Sequence, residues 1–262
     1  MNQYNMENTE KKDTGYHLYG MHPVLEAVLS GRQIEKVLLK QGLEGQQFRQ
    51  LLTELDRHSI PFQFVPAERL ARFRGGKNQG VVAYLPQIDY MPLEEMVDRA
   101  FQKDSAPIFV LLDGVSDVRN LGAVARSAEC AGAGGIILPA KGGAAINADG
   151  VKASAGALLR IGVSKCKNLR IPIYYLKERG FQIVAATEKA DGLIYEVDMK
   201  KPTAFVMGSE GKGISDSVLA LCDVMARIPM RGDIGSLNVS VAASLMLFEA
   251  VRQRTIRANT NL

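Results

Sequence analysis

Three short stretches of this chain concentrate glycines and hydrogen-bonding side chains: VSDVRNLGAVAR (residues 115–126), SEGKGIS (209–215) and RGDIGSLNVS (231–240). Their contents suit the handling of a polar ligand. Small residues let backbone approach a ligand closely. The free N–H groups of a helix start need acceptors, which a ligand can supply. The third stretch is an unusual helix entrance. From Leu237 onward apolar residues recur at helical spacing (Leu237, Val241, Leu245, Phe248), a stripe that reads as core or as an interface between subunits. Gly232, Gly235, Ser236 and Asn238 nevertheless stand at its mouth, where better helix formers are the rule.

Nucleotide signatures do not account for these loops. A phosphate loop needs Gly five residues before its Gly-Lys pair and Ser or Thr after it; around Gly211-Lys212 those positions hold Val206 and Gly213. The GAGG after Cys130 precedes a strand-like run rather than a helix, so it is no dinucleotide fingerprint.

The elements that must position the three loops alternate between strand and helix. Residues 107–256 read as β-α units: PIFVLLDGV, GGIILP, FQIVAATE, TAFVMG and VMARIPM as strands, with NLGAVARSAECAG, GVKASAGALL, NLRIPIYYLKERG (broken near Pro172) and DSVLALCD as helices. Short apolar runs each followed by a helix predict a parallel sheet covered on both faces. Ligands bind such sheets beyond the carboxyl ends of the strands, and all three loops follow strands. Residues 16–86 read as a smaller α/β unit, and residues 87–106 as a linker carrying one short helix, LEEMVDRAFQ. Residues 1–15 and 257–262 are expected to be tails.

Of the 262 residues, 32 are Lys or Arg and 28 Asp or Glu, a net charge of +4 that weakly favours a polyanionic partner. Its distribution says more. Residues 69–80 (RLARFRGGKNQG) and 160–170 (RIGVSKCKNLR) each hold four cations and no acid, and residues 252–257 add three. Solvated surface explains any one such patch; three together tilt toward nucleic acid. Arg69, Arg72, Arg74 and Lys77 are the expected phosphate contacts. Three scattered cysteines and three histidines show neither a disulfide framework nor metal spacing. The polar N-terminus lacks the apolar run of a signal peptide, and no apolar run approaches the ~20 residues that cross a bilayer. A cytoplasmic protein is expected, without metal and without a membrane partner.

DGVSDVRNLGAVARSAECAG, FVMGSEGKGIS and IPMRGDIGSLNVSVAASLMLFEAVRQR, in that order and spacing, resemble the three motifs of the SpoU-type RNA ribose methyltransferases of the SPOUT superfamily. YGMHPVLEAVLSG and NQGVVA resemble that family's N-terminal substrate-binding domain, so nearly the whole chain is covered. The resemblance implies an α/β fold with a trefoil-knotted C-terminus, S-adenosylmethionine as cofactor, an RNA partner and a homodimer. Within the family the arrangement is most similar to enzymes that methylate a guanosine ribose of 23S ribosomal RNA; transfer RNA is the alternative target. A non-catalytic RNA-binding protein is the rival from another class. Carried over by position, the catalytic set is Asn120, Arg126, Glu210, Ser236 and Asn238. Gly208, Ile228 and Leu237 would hold the cofactor mainly through backbone, with Thr187, Met230 and Ser240 nearby. Three positions depart from the family pattern: Val118 where Pro is common, Asn78 where His often stands, and Arg231 where a small residue is usual.

The implied reaction moves a methyl group from a sulfonium to a ribose 2′-hydroxyl. Its leaving group is neutral and needs no acid. What remains is alignment, worth roughly 7–11 kcal/mol of the barrier in a rigid site, and removal of the hydroxyl proton. An arginine guanidinium stays charged at physiological pH, so Arg126 suits binding of a target phosphate and stabilisation of the developing alkoxide better than proton abstraction. Several of these residues also have bland roles. Asn120, Ser236 and Asn238 are good helix caps, and Glu210 could be a solvated loop carboxylate.

Overall fold

The computed structural model describes residues 17–258 except Arg72, residues 74–77 and Gln87. Arg72, Arg74 and Lys77 of the expected RNA-contacting set therefore lie outside the described residues, as does the expected N-terminal tail. Arg69 is described and exposed.

The N-terminal unit comprises β1 (His17–Tyr19), α1 (Met21–Leu29), β2 (Lys36–Lys40), α2 (Gln46–Arg57), β3 (Phe62–Val65), α3 (Ala67–Ala71) and β4 (Val81–Tyr84). Its sheet runs β1-β4-β2-β3, with β2 and β3 parallel and the other pairs antiparallel. Helix α2 places Phe48, Leu51 and Leu55 on one stripe, against Val37 and Leu39 of β2 and Val24 and Val28 of α1. Asn78, at the position where the family often carries His, is 3% exposed. Its amide nitrogen donates to the carbonyls of Leu70 (2.6 Å) and Phe73 (3.2 Å), and its oxygen accepts from the Gly80 N–H (3.0 Å). These three bonds spend the Asn78 side chain on holding the backbone of Leu70, Phe73 and Gly80 together.

The C-terminal unit follows: α4 (Leu93–Lys103), β5 (Ile108–Asp113), α5 (Val118–Cys130), β6 (Gly135–Pro139), α6 (Ala148–Ala153), β7 (Gly162–Cys166), α7 (Arg170–Glu178), β8 (Gln182–Ala186), β9 (Thr203–Gly208), α8 (Asp216–Leu219), β10 (Val224–Ala226) and α9 (Val239–Ala258). Its six strands are all parallel, in the order β10-β8-β9-β5-β6-β7. β5 shows why its run is apolar throughout. Ile108, Val110 and Leu112 face a core with α5 and α9, while Phe109 and Leu111 face a second core with α4 and α7.

Several elements differ from the sequence expectations. α4, in the segment expected to connect the units, buries Met96, Val97 and Ala100 against Phe109 and Leu111. α7 is continuous through Pro172, because its third residue needs no intrahelical N–H bond. The helix expected over GVKASAGALL stops at Ala153, where Ala155 and Gly156 take positive φ (50° and 86°), and a short 3-10 turn follows at Ala157–Leu159. β7 runs through the middle of the second basic patch and splits it between the two ends of the sheet. The apolar stripe on α9 is not core. Val239, Ala243, Met246, Leu247 and Ala250 are buried, whereas Leu237, Val241, Leu245 and Phe248 are 38–48% exposed. Among the described residues no helix is long and apolar enough to cross a membrane.

One buried carboxylate joins the units. Glu35, just before β2 and 4% exposed, accepts from the Tyr90 hydroxyl (2.6 Å), Lys165 Nζ on β7 (2.8 Å) and the Ile146 N–H (2.9 Å). Gln33 and the Tyr90 backbone exchange two further bonds of 2.9 Å, and Lys165 Nζ sits 4.3 Å from the Tyr90 ring centroid. Burial, and then the neighbouring Glu35 charge, raise the Tyr90 phenol well above its ordinary pKa.

Candidate active site

The three polar loops meet beyond the carboxyl ends of β5, β8, β9 and β10. The loop after β9 is drawn tight: Ser209 N–H donates to Gly213 O (3.1 Å), and Gly213 N–H donates back to Ser209 O (2.9 Å). Its far end is pinned to β5, where Asp113 accepts from the Ser215 N–H (2.8 Å) and hydroxyl (2.7 Å). Gly208 lies beneath this closed loop. A Cβ on it would sit 2.1 Å from the Gly213 carbonyl carbon and 2.3 Å from Ile214 N, so only glycine fits.

Next to this loop is a cavity of about 230 Å3. Thr187, Gly208, Ile228, Met230 and Leu237 line it, with Glu210 and Ser236 at the same wall. Ala186, Met207, Ala226, Val239 and Ala242 supply apolar surface. A mostly apolar floor beside loop backbone and a few polar groups suits a flat heterocycle attached to a polar chain. Glu188 and Glu210, both exposed, also line the cavity, and two acidic side chains suit a cationic group on that ligand.

Asn120, Glu210 and Asn238, one from each loop, converge beside the cavity. Asn120 Nδ2 donates to Glu210 Oε1 (3.1 Å); Asn238 Nδ2 donates to the same oxygen (2.7 Å) and to Asn120 Oδ1 (3.0 Å). The orientation of the Asn238 amide follows from chemistry. The Ser240 N–H can only donate, and it reaches Asn238 Oδ1 at 2.9 Å, so Nδ2 must face the carboxylate. The Ser240 hydroxyl reinforces this bond at 2.6 Å. Asn238 is therefore a cap for α9 through its oxygen and a site residue through its nitrogen. The network continues inward: Ser244 Oγ donates to Ser240 O (2.7 Å) and lies 2.7 Å from Ser127 Oγ on α5.

Other residues fall elsewhere. Asn120 is not the cap of α5; Asp117 is, accepting from the Arg119 N–H at 2.7 Å. Ser240 does not line the cavity but holds Asn238. Arg126 is exposed on α5, lines no wall of the cavity and makes no ion pair among the described residues. Ser236 lines the cavity. Val118 packs where a Gly150 side chain would lie, and Arg231 is exposed. Sequence reasoning missed the Asp113–Ser215 tie, although an acid at a strand end facing a Ser-Asp helix start is the signal for one.

Residues 107–248 match the family described as SpoU rRNA methylase, and residues 17–91 match the one described as RNA 2′-O ribose methyltransferase substrate binding. A Bacillus subtilis (strain 168) protein, YacO, whose name places it among TrmH family tRNA/rRNA methyltransferases, is 34% identical over 238 residues, covering 91% of this chain and 96% of its own. The SpoU methyltransferase AviRb of Streptomyces viridochromogenes superposes with a TM-score of 0.58 at 26% identity, over 93% of this chain and 91% of that one. An AdoMet-bound rRNA methyltransferase from Sinorhizobium meliloti does so with a TM-score of 0.58 at 26% identity, over 91% and 87%.

Proposed function

The chain belongs to the SpoU family of RNA methyltransferases, and from that premise we propose that it methylates the 2′-hydroxyl of a guanosine ribose in 23S ribosomal RNA, using S-adenosylmethionine, in the cytoplasm. The observation that carries the reading is the convergence of Asn120, Glu210 and Asn238 beside the cavity. A non-catalytic RNA-binding protein would have no use for three loops locked to one carboxylate.

The residues fit the cofactor. The apolar floor from Ala186 to Ala242 suits its adenine, and Glu188 and Glu210 suit its positive charge. When bound, it supplies a methyl group on a sulfonium, so the new O–C bond forms as the C–S bond breaks. The chain's own work is positioning. The Asn120–Glu210–Asn238 node fixes the wall at which the ribose must enter, and preformed geometry of this kind lowers the barrier without reorganisation. Arg126, exposed on α5 and without an ion pair among the described residues, has its charge available for the target's phosphate. The hydroxyl proton then leaves to that phosphate or to water.

The exposed stripe of Val241, Leu245 and Phe248 supports a homodimer closed through α9. The C-terminal knot belongs to the same proposal. It is supported by the return of the chain from β10 past residues 192–194, where Arg227 N–H meets Gly192 O (2.9 Å) and Ile194 N–H meets Arg227 O (3.1 Å). Mapping 2′-O-methylation in RNA from cells with and without this protein tests the whole reading. Loss of one guanosine methyl in 23S RNA is expected. Loss confined to transfer RNA would move the substrate, and no change in any RNA would overturn the function.

A further inference from the structure

A second cavity, of about 430 Å3, lies between the two units. Its cationic lining is Arg32, Arg57, Lys165 and Lys167, with His58 beside them, and among the described residues no carboxylate lines it. Two of these groups have acidic neighbours outside the lining: Lys165 is held by Glu35 (2.8 Å), and Arg57 stands 3.8 Å from Glu54. His58 Nε2 is 3.5 Å from the same Glu54. Arg32 and Lys167 are exposed and, among the described residues, enter no ion pair.

The location matters as much as the charge. Ala140, Cys166 and Lys167 place this groove at the carboxyl ends of β6 and β7. The candidate active site stands at the carboxyl ends of β5, β9, β8 and β10, on the same end of the same sheet. Two strand spacings separate β5 from β7, about 10 Å. That is the reach of one or two nucleotides along a backbone. The groove is also preformed, because Glu35, Lys165 and Tyr90 bond across the two units at its base.

We propose that this groove takes the sugar-phosphate backbone of the RNA flanking the target nucleotide, with Arg32 and Lys167 as its phosphate contacts. The proposal rests on the RNA methyltransferase reading above and deepens it. The N-terminal unit then does more than present its basic segment. It forms one wall of a track that leads to the site.

The test is the salt dependence of RNA binding by the full-length protein, with in vitro transcribed 23S RNA and unmodified transfer RNA as probes. Arg32→Ser combined with Lys167→Ser is compared with Lys103→Ser combined with Arg160→Ser. The second pair lines a different cavity, at the amino ends of β5 to β7. Loss of two phosphate contacts lowers the slope of log K against log salt by about 1.4 on single-stranded RNA. The groove variant is expected to lose that slope and to bind RNA about tenfold more weakly near 0.15 M salt, with its affinity for S-adenosylmethionine unchanged. The control pair is expected to keep the wild-type slope. Wild-type slope and affinity in the groove variant, or equal losses in both pairs, would overturn the proposal while leaving wild-type methyl transfer intact. Absence of RNA methylation by the wild type would overturn the parent reading with it.

Discussion

Asn238 serves two masters, and a substitution can separate them. Asn238→Ser keeps a cap for α9 and removes the amide that reaches Glu210 and Asn120. Thermal stability is expected to change little, since Ser caps nearly as well as Asn, while kcat falls at least about tenfold for loss of an oriented hydrogen bond. Asn238→Ala should lose the cap as well, about 1 kcal/mol of stability. Comparing melting curves and turnover of the two variants checks both halves. Arg126→Ala is expected to abolish turnover while S-adenosylmethionine affinity, measured by calorimetry, stays near wild type; equal turnover would remove Arg126 from the mechanism. At this scale the sequence was informative in kind and less so in place. Polar types in three loops marked Asn120, Glu210 and Asn238, and the family resemblance named them together with Arg126 and Ser236. It did not show that Ser240 faces Asn238 rather than the cavity, because a helix start turns each side chain by about 100° per residue and the entry angle is set by packing. Nor did it distinguish Asn120 from Asp117 as the cap, since both types cap well.

Elements were legible where their burial was simple. β5 and β6 are sandwiched between helices and read as unbroken apolar runs. β1 has three residues, and β7 (GVSKC) is an edge strand whose Lys165 turns to Glu35, so neither carries a strand pattern. The α9 stripe misled in part, because helical periodicity marks an apolar face without saying what covers it. Its buried side instead carries Glu249, 6% exposed, which accepts from Arg252 (2.8 and 2.7 Å) and Gln253 (2.8 Å). Those bonds, Arg252 first, hold its carboxyl below the usual range. A pKa lower in the folded than in the unfolded state stabilises fully above the unfolded value, and the contribution fades as pH falls through the folded one. Glu249→Gln is therefore expected to be less stable than wild type at neutral pH, with the gap closing on the acid side of the ordinary carboxylate range. Denaturant melts across pH measure this. On the opposite face, Leu245→Glu with Phe248→Glu should leave the fold intact and yield a monomer in sedimentation, as charges at an apolar interface are not desolvated cheaply.

For the molecule as a whole, the question is how rigidly the N-terminal unit is held. The alternation of strand-like and helical runs could say that two α/β units exist. It could not say that Glu35, 111 residues from Ile146 in sequence, closes the joint between them. Glu35→Gln leaves Lys165 against a neutral partner in a nearly closed site, a loss of about 3 kcal/mol by the rule for broken buried pairs. The expected outcome is a lower melting temperature and a raised KM for RNA, with S-adenosylmethionine binding unaltered. Adding Lys165→Met should recover much of the stability.

Leu237 belongs to two surfaces at once: it lines the cavity beside the loop after β9 and begins the exposed apolar stripe of α9. If a second copy covers that stripe, Leu237 couples occupancy of the pocket to self-association, and whatever factor one exerts on the other is returned in full. Where that coupling is favourable, diluting the enzyme weakens its grip on the donor, and saturating donor draws scattered subunits back together.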